Sequence, residues 1–210
     1  MKKISLFFIT LLCAQTLFAH PHAFIDMRTK VLVEKQQLVG FSMRWVLDEP
    51  SSAAVLYDVK QAKGDKKALQ KLIDEVIGNV VNEHYFSYLF DKQGNKVKYS
   101  AKPQNYGMKS SGSQVLYYFD FMLSKPQLLQ DNEFTLSTYD PTYYVSMYYD
   151  QPFHSAVDFS QLPENCHGEV LDPNINEKLK AYASSLDQSQ RNEDDTLGAQ
   201  FAQKVRLICH

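Results

Sequence analysis

The chain has 210 residues, 44% of them hydrophobic and 13% aromatic, with 22 basic against 24 acidic side chains and a net charge of −2. That length carries one domain with a sizeable core. Mild acidity without a Lys/Arg cluster argues against nucleic acid and against an anionic membrane surface as partners.

The amino-terminal end reads as an export signal. Lys2 and Lys3 form a positive start, Ile4 to Cys13 is an apolar run too short to span a bilayer, and Leu17-Phe18-Ala19 ends on a small residue suited to cleavage. Residues 1–19 are therefore expected to be removed before His20 and the product exported to the periplasm. Cys13 does not predict lipidation, because bulky Leu12 stands where that processing requires a small residue. Lys2 and Lys3 leave with the leader, so 20 basic and 24 acidic groups remain, a net charge of −4. No later stretch is long and apolar enough to cross a bilayer, so no stable membrane insertion is expected.

Ala23 to Val33 and Gln37 to Leu47 are rich in β-branched and aromatic residues and read as two strands joined near Lys35-Gln36. Asp48-Glu49-Pro50 breaks that pattern, and Ser51 or Ser52 is the expected N-cap of a short helix over Ala53 to Val59. Leu69, Leu72, Ile73, Val76, Ile77 and Val80 then recur at helical steps and predict a second, amphipathic helix. Strands are expected over Tyr85 to Asp91, Lys96 to Ala101, Gln114 to Leu123, Glu133 to Tyr139 and Tyr143 to Asp150. Pro103 to Ser113 reads as a polar loop, Asn174 to Ser185 as a helix, Gln188 to Thr196 as an exposed polar stretch, and Phe201 to Cys209 as a final strand. The expected class is α+β, mainly β. It is an antiparallel sandwich-like single domain over residues 20–210, with a helical insertion at about residues 51–82.

Two cysteines, Cys166 and Cys209, remain after cleavage. In an oxidising compartment such a pair is expected to form a disulfide that pins the carboxyl-terminal segment. The competing possibility is a zinc site made with His167 and His210, although neither dipeptide has Cys-x-x-Cys spacing.

The chemistry concentrates at His20-Pro21-His22. Residues two apart on an extended segment point the same way about 7 Å apart, so both imidazoles can converge on one ion, and a free α-amine on His20 adds a third nitrogen. Pro21 keeps the connection extended and removes an amide that copper would otherwise claim. Asp26 has the same parity but lies about 13 Å further along, which suits a carboxylate that orients another group rather than a ligand. Further ligands are sought among His154, His84, His167, Asp48 and Asp140, with His154 in Gln151-Pro152-Phe153-His154 the favoured one. Tyr139-Asp140-Pro141-Thr142-Tyr143-Tyr144 reads as a turn between strands, bringing Asp140 as a candidate ligand and Tyr143 as a candidate orienting residue. Hydrolase, Walker-type and dinucleotide signatures are absent, so a binding protein is expected rather than an enzyme.

The leader followed by His20-Pro21-His22-Ala23-Phe24-Ile25-Asp26, then Arg44-Trp45 with Asp48-Glu49, Tyr139-Asp140-Pro141-Thr142-Tyr143-Tyr144 and a terminal Cys209, resembles the bacterial periplasmic family known as domain of unknown function 1007, with its ZevA-type zinc-binding members. The resemblance implies periplasmic binding of Zn2+ beside an inner-membrane permease of the nickel/cobalt type. It carries a metal role onto His20 and His22, and less directly onto Asp26, Asp140 and His154. Many members of that family place a calcium-like acidic loop before the long helix. Here Asp58 to Asp65 sets lysine and alanine where oxygen ligands are required, and calcium is not expected. Imidazole ligands leave Ni2+, Co2+ and Cu2+ as alternatives. A copper-binding histidine brace, in a carrier or an oxidative enzyme, is a second reading, and a structural or interaction domain without metal is a third.

Overall fold

A computed structural model describes residues 21–185 and 196–210. The expected leader and cleavage site, His20 and most of the polar stretch after Gln188 lie outside the described residues.

The chain builds two sheets that enclose one core. β1 (Ala23–Glu34) and β2 (Gln37–Leu47) form an antiparallel hairpin whose turn residues, Lys35 and Gln36, both take positive φ. Alternation sends Met27, Thr29 and Val31 of β1, and Phe41, Met43 and Trp45 of β2, inward, while Asp26, Arg28, Lys30 and Arg44 face out. β6 (Gln114–Leu128) continues the sheet beside β2 and buries Val115, Tyr117, Phe119, Phe121 and Leu123, with β5 (Gln104–Ser111) on its far side. On the other side of β1 lie β8 (Val145–Tyr148) and the short β9 (Val157–Asp158), both parallel to it, so this sheet is mixed rather than purely antiparallel. The second sheet runs, in spatial order, β10 (Cys166–Leu171), β11 (Lys204–Cys209), β7 (Glu133–Thr138), β3 (Ser87–Asp91) and β4 (Lys96–Val97). Leu89, Phe134, Leu136, Val205 and Leu207 of this sheet meet the inward residues of the first in a single apolar cluster. A full side-chain burial of this kind contributes about 1.5–3 kcal/mol per large residue.

Between β2 and β3 stand α1 (Glu49–Gln61) and α2 (Lys66–Asn82). α2 carries the expected apolar stripe and buries Ile73, Ile77 and Val80. α1 starts earlier than the Ser51 or Ser52 cap predicts. Asp48 is the N-cap, its carboxylate accepting from the Ser51 N–H at 2.8 Å, and Pro50 fits the first turn because its missing N–H is not needed there. Ser52 is buried instead: its hydroxyl donates to the Leu47 carbonyl and accepts the Val115 N–H, tying α1 to β6. Asp65, at the end of the calcium-like segment, caps α2 by accepting from the Lys67 N–H.

Other departures have local causes. The expected loop over Pro103 to Ser113 is mostly β5, which pairs antiparallel with β6 with a register shift between Gln104 and Gly107 and turns at Gly112, where φ is +61°. The strand expected from Tyr85 begins at Ser87, because His84, Tyr85 and Phe86 all take positive φ in a left-handed turn. That turn drops Tyr85 into the core, where it stacks on Phe119 and Phe121 and its hydroxyl donates to the Ser100 carbonyl. Burial pushes the Tyr85 phenol up to about 12. Toward the carboxyl end, α3 (Phe153–Ala156), α4 (Glu177–Ser185) and α5 (Leu197–Phe201) are short. Cys166 and Cys209 face each other across β10 and β11 and are joined by a disulfide, which removes their sulfurs from any zinc site with His167 and His210. No helix among the described residues is long and apolar enough to cross a membrane.

Candidate metal centre

His22 stands at the entrance to β1, and both neighbours of that strand hold it in place. On one side the His22 N–H donates to the Tyr144 carbonyl at 2.8 Å, extending the parallel β1–β8 pairing by one step. The His22 ring lies against the Tyr144 ring, with centroids 4.8 Å apart and planes tilted by 44°. On the other side, two hydrogen bonds link Phe24 and Asp48. The Phe24 N–H donates to Asp48 Oδ2 at 2.8 Å, and the Asp48 N–H donates to the Phe24 carbonyl at 3.0 Å. One carboxylate thus caps α1 and clasps the start of β1.

The Tyr144 side of this clamp comes from the Asp140–Tyr144 turn. Asp140 is buried; its Oδ1 accepts from the backbone and the hydroxyl of Thr142 at 2.9 Å, and its Oδ2 from the Val145 N–H at 3.0 Å. A metal at Asp140 would compete with all three donors. Gly198 packs on the turn from behind, its N–H donating to the Pro141 carbonyl at 3.0 Å, and a Cβ there would collide with the Asp140 carbonyl. Tyr143 takes a φ of +58°, stacks on Phe201 of α5 at 4.1 Å, and has its phenol raised by burial. It is Tyr144, the next residue, whose ring meets His22.

Asp26 is paired with Arg28 and lies opposite Tyr148 in the β1–β8 register. Burial raises its carboxyl above the usual aspartate range, and Arg28 offsets only part of that rise. His154 belongs to α3, between β8 and β9. β8 ends opposite Asp26 and β9 begins opposite Thr29, so His154 lies in the excursion between them. His84 lies in the left-handed turn before β3 and His167 in β10, both belonging to the second sheet's strands and approaches. Among the described residues no group of three or more His, Cys, Asp or Glu side chains is placed to hold one ion. The described part of the centre is thus one imidazole, held against Tyr144, on a strand whose start Asp48 clasps at Phe24.

His22 and the Asp140 turn stand out in the sequence, whereas the clasp by Asp48 and the ring of Tyr144 do not. The signal for Asp48 was present in Asp-x-Pro-Ser capping chemistry. The Tyr144 contact depends on a parallel pairing between segments about 120 residues apart, which no local pattern encodes.

Residues 5–209 match the family described as "Protein of unknown function (DUF1007)". A Haemophilus influenzae (strain Rd) protein described as "Uncharacterized protein" is 60% identical over 191 residues, covering 91% of each chain. A match of that extent, running through the His20-Pro21-His22 block to the disulfide, makes this chain a member of the DUF1007 family.

Proposed function

We propose that the protein is exported and binds a divalent transition metal, Zn2+ by preference, through His20 and His22, and delivers it to an inner-membrane permease of the nickel/cobalt type. The observation that carries this reading is the anchoring of His22. Its backbone is hydrogen-bonded to Tyr144 and its ring rests on a tyrosine, at the point where the strand emerges from the body. An imidazole pre-positioned in this way loses little freedom on binding, and a second histidine two residues earlier, at the processed end, completes a chelating pair. The metal is cargo, and a site at the processed end of the chain suits release as well as capture.

In this reading His154 and Asp140 are the candidate additional ligands, while Asp26 and Tyr143 act indirectly. The test is a zinc titration of the secreted protein against a competing chelator. Wild type is expected to take up about one ion, with affinity lost as pH falls through the ordinary histidine range because protonated imidazole cannot ligate. Replacing both His20 and His22 by Ala is expected to abolish uptake. Undiminished binding in that double variant would reject the assignment.

A further inference from the structure

The outer face of the first sheet holds a second feature, independent of any metal at His22. In the β1–β2 register Arg28 lies directly opposite Arg44, and Lys30 lies opposite Ser42 on the same face. Like charges directly opposed on neighbouring strands work against pairing, yet here two guanidiniums are set side by side with an ammonium next to them. They line a cleft of about 480 Å3 together with Ser42, Ser155 and Asp158. Two of the three cations have acidic partners, Arg28 with Asp26 and Lys30 with Asp158 at 3.3 Å. Arg44 is exposed and, among the described residues, has no hydrogen-bond or ion-pair partner. The floor therefore carries one unneutralised guanidinium beside a second, with two serine side chains at the walls.

We propose that this cleft is a binding site for an oxyanion, a carboxylate or phosphate group on a small soluble molecule, bridged between Arg28 and Arg44. Guanidinium forks suit two-oxygen anions, the Ser42 hydroxyl supplies a neutral donor while that of Ser155 donates to the Pro152 carbonyl, and a bound anion removes the repulsion between the opposed strands. Asp158 at the edge sets an upper limit on the ligand's charge and weakens its hold.

The experiment measures melting temperature and calorimetric affinity of the metal-free protein in phosphate and in succinate, with sodium chloride at matched ionic strength as the control. Wild type is expected to melt higher in at least one of the two anions than in chloride. A response to phosphate alone identifies a phosphate ligand, and a response to succinate alone a carboxylate. R44Q is expected to weaken binding at least tenfold while melting no lower than wild type in chloride, because the repulsion is gone. D158N is expected to tighten binding several-fold. Equal melting in all three salts, or an R44Q affinity equal to that of the wild type, would overturn the proposal. Neither result bears on zinc uptake by His20 and His22.

Discussion

At the scale of single residues, Asp48 has the widest reach. Its carboxylate accepts from Ser51 at the start of α1 and from Phe24 at the start of β1. Burial pushes its pKa up, but the hydrogen bonds from Ser51 and Phe24 outweigh that, and the net shift is downward from 3.8. A carboxyl whose folded pKa is depressed stabilises the fold above its unfolded value and loses that contribution as pH falls through the folded one. Asp48→Ala is expected to cost about 0.5–2 kcal/mol at neutral pH, the range for loss of an N-cap. The deficit relative to wild type should begin to shrink as pH falls below about 4, the unfolded value, and close as pH passes through the lower folded value, where the wild-type carboxylate itself takes up a proton. Chemical denaturation of both proteins at pH 7 and pH 3 checks this; a deficit of equal size at both would show that the carboxylate's charge is not what matters. Asp26 behaves in the opposite sense, since burial raises its pKa and its ionised form is held by Arg28 at a cost.

At the scale of elements, the placement of His22 depends on α5 reaching back to the Asp140–Tyr144 turn. Gly198 permits that approach, and the Phe201 ring stacks on Tyr143. Gly198→Ala is expected to destabilise the protein by about 1–3 kcal/mol, as for overpacking elsewhere, and to broaden the Tyr144 and His22 resonances while leaving those of β11 sharp. A melting curve and a two-dimensional NMR spectrum test both parts, and an unchanged turn would contradict the role assigned to α5. The β1–β2 hairpin and the stripe of α2 were legible in the sequence because alternation and helical periodicity act within one segment. β5 was not: Gln104-Asn105-Tyr106 and Lys109-Ser110-Ser111 have loop-like composition, and their strand conformation comes from pairing with the long, apolar β6. The left-handed turn at His84–Phe86 was equally hidden, because core packing of Tyr85 outweighs the local cost of positive φ.

At the scale of the whole molecule, the two sheets and α2 share one apolar core, and the candidate chemistry sits at its rim. Tyr149 ties the halves together. Its hydroxyl hydrogen-bonds Thr29 of β1 at 2.8 Å and reaches Thr138 of β7, and burial holds its phenol up at about 12. Gln203, just before β11, clasps the Tyr149 backbone from both sides. The disulfide between Cys166 and Cys209 closes a 43-residue separation, which includes α4 and α5, and in the chain-entropy account contributes up to about 4 kcal/mol. The sandwich and its pinned end were readable from strand spacing and cysteine arithmetic. The parallel β1–β8 contact that fixes His22 emerges only from the assembled sheet.

The central claim is that export exposes His20 beside an anchored His22 and that the pair captures a metal ion. Mass spectrometry of the secreted protein, run both natively and denatured, tests it most directly. The account predicts a first residue of His20, a mass lower by two hydrogens for the disulfide, and one zinc retained in the native spectrum that is lost on denaturation. A secreted form beginning beyond His22, or one that keeps both histidines and takes up no zinc, nickel, cobalt or copper when these are supplied, would contradict it.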